Sequence, residues 1–202
     1  YGSLECVEEN VIPAAPLEKA GVELREDTVI SVDTQKKTCK TAGGEEITFE
    51  KLVFATGSQP VVPGQLKGTD RENVYSIPKD KEYLEQLSTR LQDYQKIIVI
   101  GGGFIGVEVS DELNKKGKDV TLVEILPHLL GLAFDQELAV EAENLLSSRG
   151  VNIRKQSRVQ EILADGVKLE NGETINADAV ILSMGYAPNT ELAAEAGLRM
   201  TP

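Results

Sequence analysis

Two cysteines, a single histidine and no long apolar run remove several functional classes from these 202 residues. Cys6 and Cys39 form neither a C-x-x-C pair nor a metal-ligand set, and the lone His128 is too little for a histidine-built centre. No metal site is expected, and neither thiol is a candidate for catalysis. No stretch approaches the roughly 20 apolar residues of a membrane helix, and no secretory signal opens the chain, so a cytoplasmic location is expected. Positive charge is also scarce. Lys and Arg number 21 against 33 Asp and Glu, giving a net charge of −12 and a pI near 4.6. Nucleic acid and anionic membrane are therefore excluded as partners. The length suffices for one or two cores. The first residue is Tyr1 rather than Met, which suggests a piece of a longer protein.

What is present is concentrated in residues 97–124. An apolar, β-branched run, Ile97–Ile100, meets Gly101, Gly103 and Gly106 in the spacing G-x-G-x-x-G. A helical pattern follows, then a second β-rich run, Val120–Val123, which ends on Glu124. A dinucleotide needs these parts in this order. The first glycine turns the backbone off the strand, the second keeps Cβ away from a pyrophosphate, and the third lets helix and strand approach closely. The helix N-terminus offers free N–H groups to the phosphates. Glu124 at the strand tip can accept hydrogen bonds from both ribose hydroxyls and would repel a 2′-phosphate, so NAD(H) is expected over NADP(H).

The chain also repeats itself. Gly21-Val-Glu-Leu-Arg25 is echoed by Gly150-Val-Asn-Ile-Arg154, and Gly44–Gly57 aligns without a gap to Gly172–Gly185, with Pro60 falling on Pro188. Each copy predicts a short strand, a three-stranded meander and a final apolar strand closed by glycine. Asn171-Gly172 predicts a type I′ hairpin. In the second copy this unit follows the glycine fingerprint and its helices. A matching first half is expected upstream of Tyr1. Between the copies, Gln59–Gly64 and Gly68–Asp70 predict a surface linker. Residues 80–94 place Tyr83, Leu84, Leu87, Leu91 and Tyr94 on one helical stripe. A second helix, about Asp135 to Arg149, carries Leu138, Ala142, Leu145 and Leu146 and stops at Gly150. Both read as packing helices.

Four segments in order resemble the pyridine nucleotide–disulfide oxidoreductase family of flavoproteins, which includes NADH oxidases and coenzyme A-disulfide reductases. They are Ala55-Thr-Gly-Ser-Gln-Pro60, Val99-Ile-Gly-Gly-Gly-Phe-Ile-Gly-Val-Glu108, Leu122-Val-Glu124 and Met184-Gly-Tyr-Ala-Pro-Asn-Thr190. The similarity spans roughly residues 20–202. It implies an α/β fold in which a Rossmann-like NAD-binding domain, with a parallel sheet, flanking helices and a three-stranded β-meander, is inserted in an incomplete FAD-binding domain of similar fold. The implied layout is a partial FAD domain at 1–75, the NAD domain at 76–190 and the return to the FAD domain at 191–202.

The resemblance also implies roles. Thr56 and Gly57 match a turn that approaches FAD, and Gly185 matches the equivalent turn near nicotinamide. Phe104 matches a position that can cover the flavin, or it simply packs in the core. Ile105 lies inside the fingerprint. Glu108 matches an acid that positions nicotinamide, or it is a solvated helix carboxylate. His128 reads as a solvated or hydrogen-bonded loop residue, and Cys39 packs or faces solvent. Cys6 does not match the redox thiol that some members carry. The family's first glycine fingerprint, its flavin ribityl turn and its C-terminal dimerisation domain are not within these residues. The implied function is the NADH-binding portion of an FAD-dependent oxidoreductase that passes hydride from NADH to flavin and electrons on to an acceptor. The longer protein is implied to be a homodimer, and no residue here is assigned as catalytic. The alternative is a stand-alone NAD-binding module without turnover.

Overall fold

The computed structural model describes residues 13–200, so Cys6 lies outside the described residues. They form two compact units, one of residues Gln59–Ala187 and one of residues 13–58 with 188–200.

The larger unit is built on a parallel sheet. Its spatial order is β5 (Val74–Ser76), β12 (Ala179–Leu182), β6 (Lys96–Ile100), β7 (Asp119–Val123) and β8 (Asn152–Arg154). The sheet is covered on both faces, which is why its strands read as continuous apolar runs rather than alternating ones. Ile97 and Val99 of β6 point to one side, where they meet helices α2 (Lys81–Arg90), α3 (Phe104–Lys115) and α4 (Gln136–Ser148). Ile98 and Ile100 point to the other side and meet a meander of β9 (Val159–Leu163), β10 (Gly166–Leu169) and β11 (Thr174–Asn176) through Ile162, Val167 and Leu169. Three layers result, as expected from the pattern.

Each helix starts for a visible reason. The Asp80 carboxylate accepts the Tyr83 amide at 2.9 Å to cap α2, and Asp135 accepts the Leu138 amide at 3.1 Å to cap α4. Helix α3 differs, because it begins at Gly103 with no side-chain cap. Leu87 and Leu91 of the predicted stripe are buried, and Tyr83, Leu84 and Tyr94 pack against them. The face of α4 is corrected. Leu138 and Leu145 are exposed, whereas Ala139, Glu143 and Leu146 are buried. The helix is rotated from the expected phase so that Ala139 and the Glu143 carboxylate enter the interior beside Leu146, in place of Leu138 and Leu145.

One further expectation changes. The hairpin at Asn171-Gly172 is not type I′, because Gly172 has φ +90° while Asn171 is not in the left-handed region. The Asn171 side chain accepts the Glu173 amide at 2.9 Å and Gly172 N–H donates to Leu169 O at 3.0 Å. This is a type I turn followed by a left-handed glycine. The segments 59–64 and 68–70 lie at the surface, while between them Leu66 is buried under the meander and Ile162 N–H donates to Lys67 O at 2.9 Å. The units divide at Ser58/Gln59 and Ala187/Pro188, and Leu66 and β5 belong to the larger core.

The smaller unit holds α1 (Ala14–Lys19), the meander β1 (Val29–Asp33), β2 (Thr38–Thr41) and β3 (Glu46–Thr48), and α5 (Glu191–Glu195). Cys39 is buried in β2 as a free thiol. The short strands expected at 22–25 and 51–54 are absent. β4 (Ser58–Pro60) pairs with β13 (Tyr186–Pro188) as a two-stranded ribbon. Among the described residues no helix is long and apolar enough to cross a membrane.

Candidate functional site

The three fingerprint glycines are required for different reasons. Gly101 leaves β6 at φ +106°, and a Cβ there would lie 2.2 Å from Ser183 O. Gly106, in the first turn of α3, would press its Cβ to 1.8 Å from Gly101 O. Both glycines are demanded by the chain's own packing. Gly103 is not. Its φ of −75° suits any residue, and nothing lies within 4 Å of its would-be Cβ. Fold alone gives no reason for glycine there. The space it leaves open faces the uncapped amides of α3, a setting suited to an anion.

Glu124 follows β7 and is only 7% exposed. One carboxylate oxygen accepts the Gly102 amide at 2.5 Å and the other accepts the Leu126 amide at 2.7 Å. The carboxylate therefore shapes the glycine loop as well as facing the site, and each oxygen keeps a lone pair for a further donor. Gly102 itself has no room for a side chain, since a Cβ would sit 2.4 Å from Leu129 Cδ2. Between these residues lies a cavity of about 320 Å³ lined by Gly102, Gly103, Phe104, Glu124, His128 and Leu130.

The far wall of the cavity is the loop of residues 125–134. Leu130 N–H donates to Gly102 O at 2.8 Å, with Leu130 itself at φ +58°. Leu129 N–H donates to Glu143 Oε1 at 3.0 Å, and His128 Nδ1 lies 3.3 Å from the same oxygen. Lys155 Nζ donates to Glu143 Oε2 at 2.6 Å. Burial pushes the Glu143 carboxyl up, but the Lys155 ammonium, the Leu129 amide and the His128 ring outweigh it and hold the group below the usual carboxylate range.

The remaining candidates divide between the units. Phe104 is exposed, edge-to-face on Phe134 with centroids 5.6 Å apart, so it is not a core residue. Ile105 packs against the helix-side core rather than the cavity. Glu108 is exposed on α3. Gly185, at φ +100° with open space beyond it, follows Ser183, whose N–H donates to Ile100 O at 2.8 Å beside the loop. Thr56 and Gly57 sit in the other unit. There the Thr56 hydroxyl donates to Asn189 O at 2.5 Å, the Asn189 amide donates to Thr56 O at 2.8 Å, and Asn189 N–H donates to Gly57 O at 3.0 Å. The structure thus brings together Gly101, Gly103, Gly106 and Glu124, with Phe104 at the edge.

Sequence reasoning missed Gly102, Glu143 and Asn189. The run of three glycines could have flagged Gly102. A glutamate in phase with Ala139 and Leu146 on an otherwise apolar stripe could have flagged Glu143. Asn189 lies in the Met184–Thr190 segment, which could have flagged it.

A glycine loop at the carboxyl end of a central parallel strand, with an acid ending the next strand, defines a Rossmann-like α/β protein. The family model described as pyridine nucleotide-disulphide oxidoreductase matches residues 6–202, and the chain belongs to that family. An NADH oxidase of Enterococcus faecalis is 33% identical over 81% of this chain and 38% of its own length. A solved NAD-dependent persulfide reductase from A. fulgidus is 30% identical, with a TM-score of 0.86 over 99% of this chain and 40% of that one. A water-forming NADH oxidase from Lactobacillus brevis, solved with NADH bound, is 25% identical, with a TM-score of 0.82 over 100% of this chain and 46% of its own. The chain spans less than half the length of each of these relatives.

Proposed function

We propose that the Gly101–Gly106 loop and the Glu124 cavity hold NAD(H), and that this chain is the NADH-binding portion of an FAD-dependent oxidoreductase. The observation that carries the reading is Gly103, the one fingerprint glycine that packing does not demand. Membership of the oxidoreductase family and the NADH-bound relative support it. When bound, NADH supplies a hydride to the flavin, which hands electrons to an acceptor such as oxygen, peroxide, a disulfide or a redox protein.

The chain's own residues bind and orient. The uncapped α3 amides meet the pyrophosphate charge, and the open space at Gly103 admits it. The spare lone pairs of Glu124 accept from the adenosine ribose hydroxyls, while a 2′-phosphate would meet a like charge. Phe104, exposed beside the cavity, is placed to cover a ring system, and Glu108 and Gly185 would act on the nicotinamide side. Under the same reading residues 76–190 form the NAD domain, and residues 1–75 and 191–202 contribute to an FAD domain through Thr56 and Gly57. The longer protein would be a cytoplasmic homodimer.

Calorimetric titration tests the assignment. NADH should bind more tightly than NADPH, and equal affinity would remove the role given to Glu124. Gly103→Val should abolish NADH binding while leaving circular dichroism and unfolding unchanged, since no protein atom lies within 4 Å of the new Cβ. Full affinity in folded Gly103→Val protein would overturn the proposal. Glu124 is the poorer first target, because the Gly102 and Leu126 amides lose their carboxylate acceptor with it.

A further inference from the structure

Glu143 is a buried charge on a helix whose other interior residues are apolar, and no part of the proposed nucleotide contact uses it. A carboxylate in such a place is costly unless it is paired and hydrogen-bonded. Its partners come from two different segments. Oε1 takes the Leu129 amide and faces His128, both on the 125–134 loop, while Oε2 takes the Lys155 ammonium from the segment after β8. The next amide along, Leu130 N–H, donates to Gly102 O in the glycine loop. Successive amides of one loop are thus held from opposite sides, one by Glu143 and one by the fingerprint. Between them Leu130 is kept at φ +58°, a conformation that a leucine adopts only when its surroundings impose it.

We infer that Glu143 is a positioning residue for the nucleotide site: it fixes the 125–134 loop as the far wall of the cavity that Glu124 lines. The inference rests on the NAD(H) reading for its ligand, and on the loop geometry for its mechanism. Lys155 keeps the carboxylate charged, so that Leu129 N–H meets an ionic acceptor instead of a neutral one. Without that acceptor the Leu129 amide is left unpaired in the interior, and the loop relaxes away from Gly102. The loop faces the side of the site where Glu124 stands, so the adenosine half of the nucleotide should feel the change.

The test uses the 202-residue chain, amide hydrogen exchange, and titration with NADH, ADP-ribose and nicotinamide mononucleotide. Glu143→Leu should speed exchange at Leu129 and Leu130 relative to Val99 in β6, and should weaken NADH and ADP-ribose together by roughly tenfold, the value of about one charge-assisted hydrogen bond. Nicotinamide mononucleotide should be unaffected. Glu143→Gln, which keeps a carbonyl oxygen for Leu129, should restore part of both effects. Lys155→Met should give an intermediate loss. If Glu143→Leu does not fold, the Gln and Met variants carry the test, and wild-type affinity in both would overturn the inference. Unchanged exchange at Leu129 overturns it directly. Faster exchange with unchanged affinity reduces Glu143 to a structural role and overturns it as well. Wild-type chain that binds no NADH would instead remove the nucleotide reading, and the exchange measurement would still decide whether Glu143 holds the loop.

Discussion

Residues 13–60 and 136–188 are two copies of one pattern, and they agree in local geometry while differing in burial. The turn at Thr41–Glu45 has Gly44 N–H donating to Thr41 O at 3.0 Å, and the turn at Leu169–Glu173 has Gly172 N–H donating to Leu169 O at 3.0 Å. Helix α1 ends with Gly21 in the left-handed region and Val22 N–H on Leu17 O, as α4 ends with Gly150 and Val151 N–H on Leu146 O. Burial separates them. Leu17 and Val22 are 40% and 45% exposed, whereas Leu146 and Val151 are each 3% exposed. Segments 22–25 and 51–54 form no strand, but their counterparts are strands of the parallel sheet, β8 at its edge and β12 buried within it. Val53 is 84% exposed, while its counterpart Ile181 is fully buried. Turns and caps form wherever their few residues are in order. A strand needs another strand beside it.

Substitutions can break or sharpen this contrast. The largest effect belongs to the buried copy: Leu146→Ala should lose about 3 kcal/mol of unfolding free energy in urea, from transfer and cavity together. A loss below about 1 kcal/mol would mean that α4 is not anchored as described. Acid should also act on this copy, through the Glu143 contact. Glu143 is held below its ordinary value, so its contribution is complete above about pH 4.5 and disappears as the pH falls through the lowered folded value. Its counterpart, Ala14, has nothing to titrate. The acid-dependent loss, followed by exchange of the Leu129 amide, should vanish in Glu143→Gln, and an unaltered acid profile in that variant would contradict the assignment.

Smaller effects should be equal in both copies. Gly44 and Gly172 sit at φ +89° and +90° with nothing near their would-be Cβ atoms, so only the conformational penalty remains. Gly44→Ala and Gly172→Ala should each cost about 1 kcal/mol, read from exchange in β2 and β10 respectively. Unequal losses would show that tertiary context enters even these turns. The smallest change is Leu17→Ala, expected within about 0.5 kcal/mol because the side chain has little burial to lose. A large loss there would close the gap between the copies.

Much of the site was legible because its signals are local. Gly106 is set by a close contact with Gly101 inside one strand-turn-helix unit, Gly101 by its left-handed turn off β6, and Glu124 by the end of the next strand. Where the reading failed, the missing information was non-local or depended on phase. Leu138 and Leu145 fit a helical stripe as well as Ala139 and Glu143 do, and only the sheet beneath α4 selects between them. Asn171 takes an Asx contact that a dipeptide rule does not contain. Leu66, between the two surface segments 59–64 and 68–70, is buried only because the second meander covers it.

By itself, then, the sequence determined the β-strand–glycine–helix order, the two meanders, the helix caps at Asp80 and Asp135 and the acid at the end of β7, because each depends on residues within about one turn or hairpin of one another. Tertiary structure alone decided which copy is buried, which face of α4 turns inward and how Glu143 reaches the 125–134 loop. Those outcomes depend on apolar surfaces and hydrogen-bond partners supplied by distant segments, and nothing in a short window of sequence specifies which distant surface will arrive.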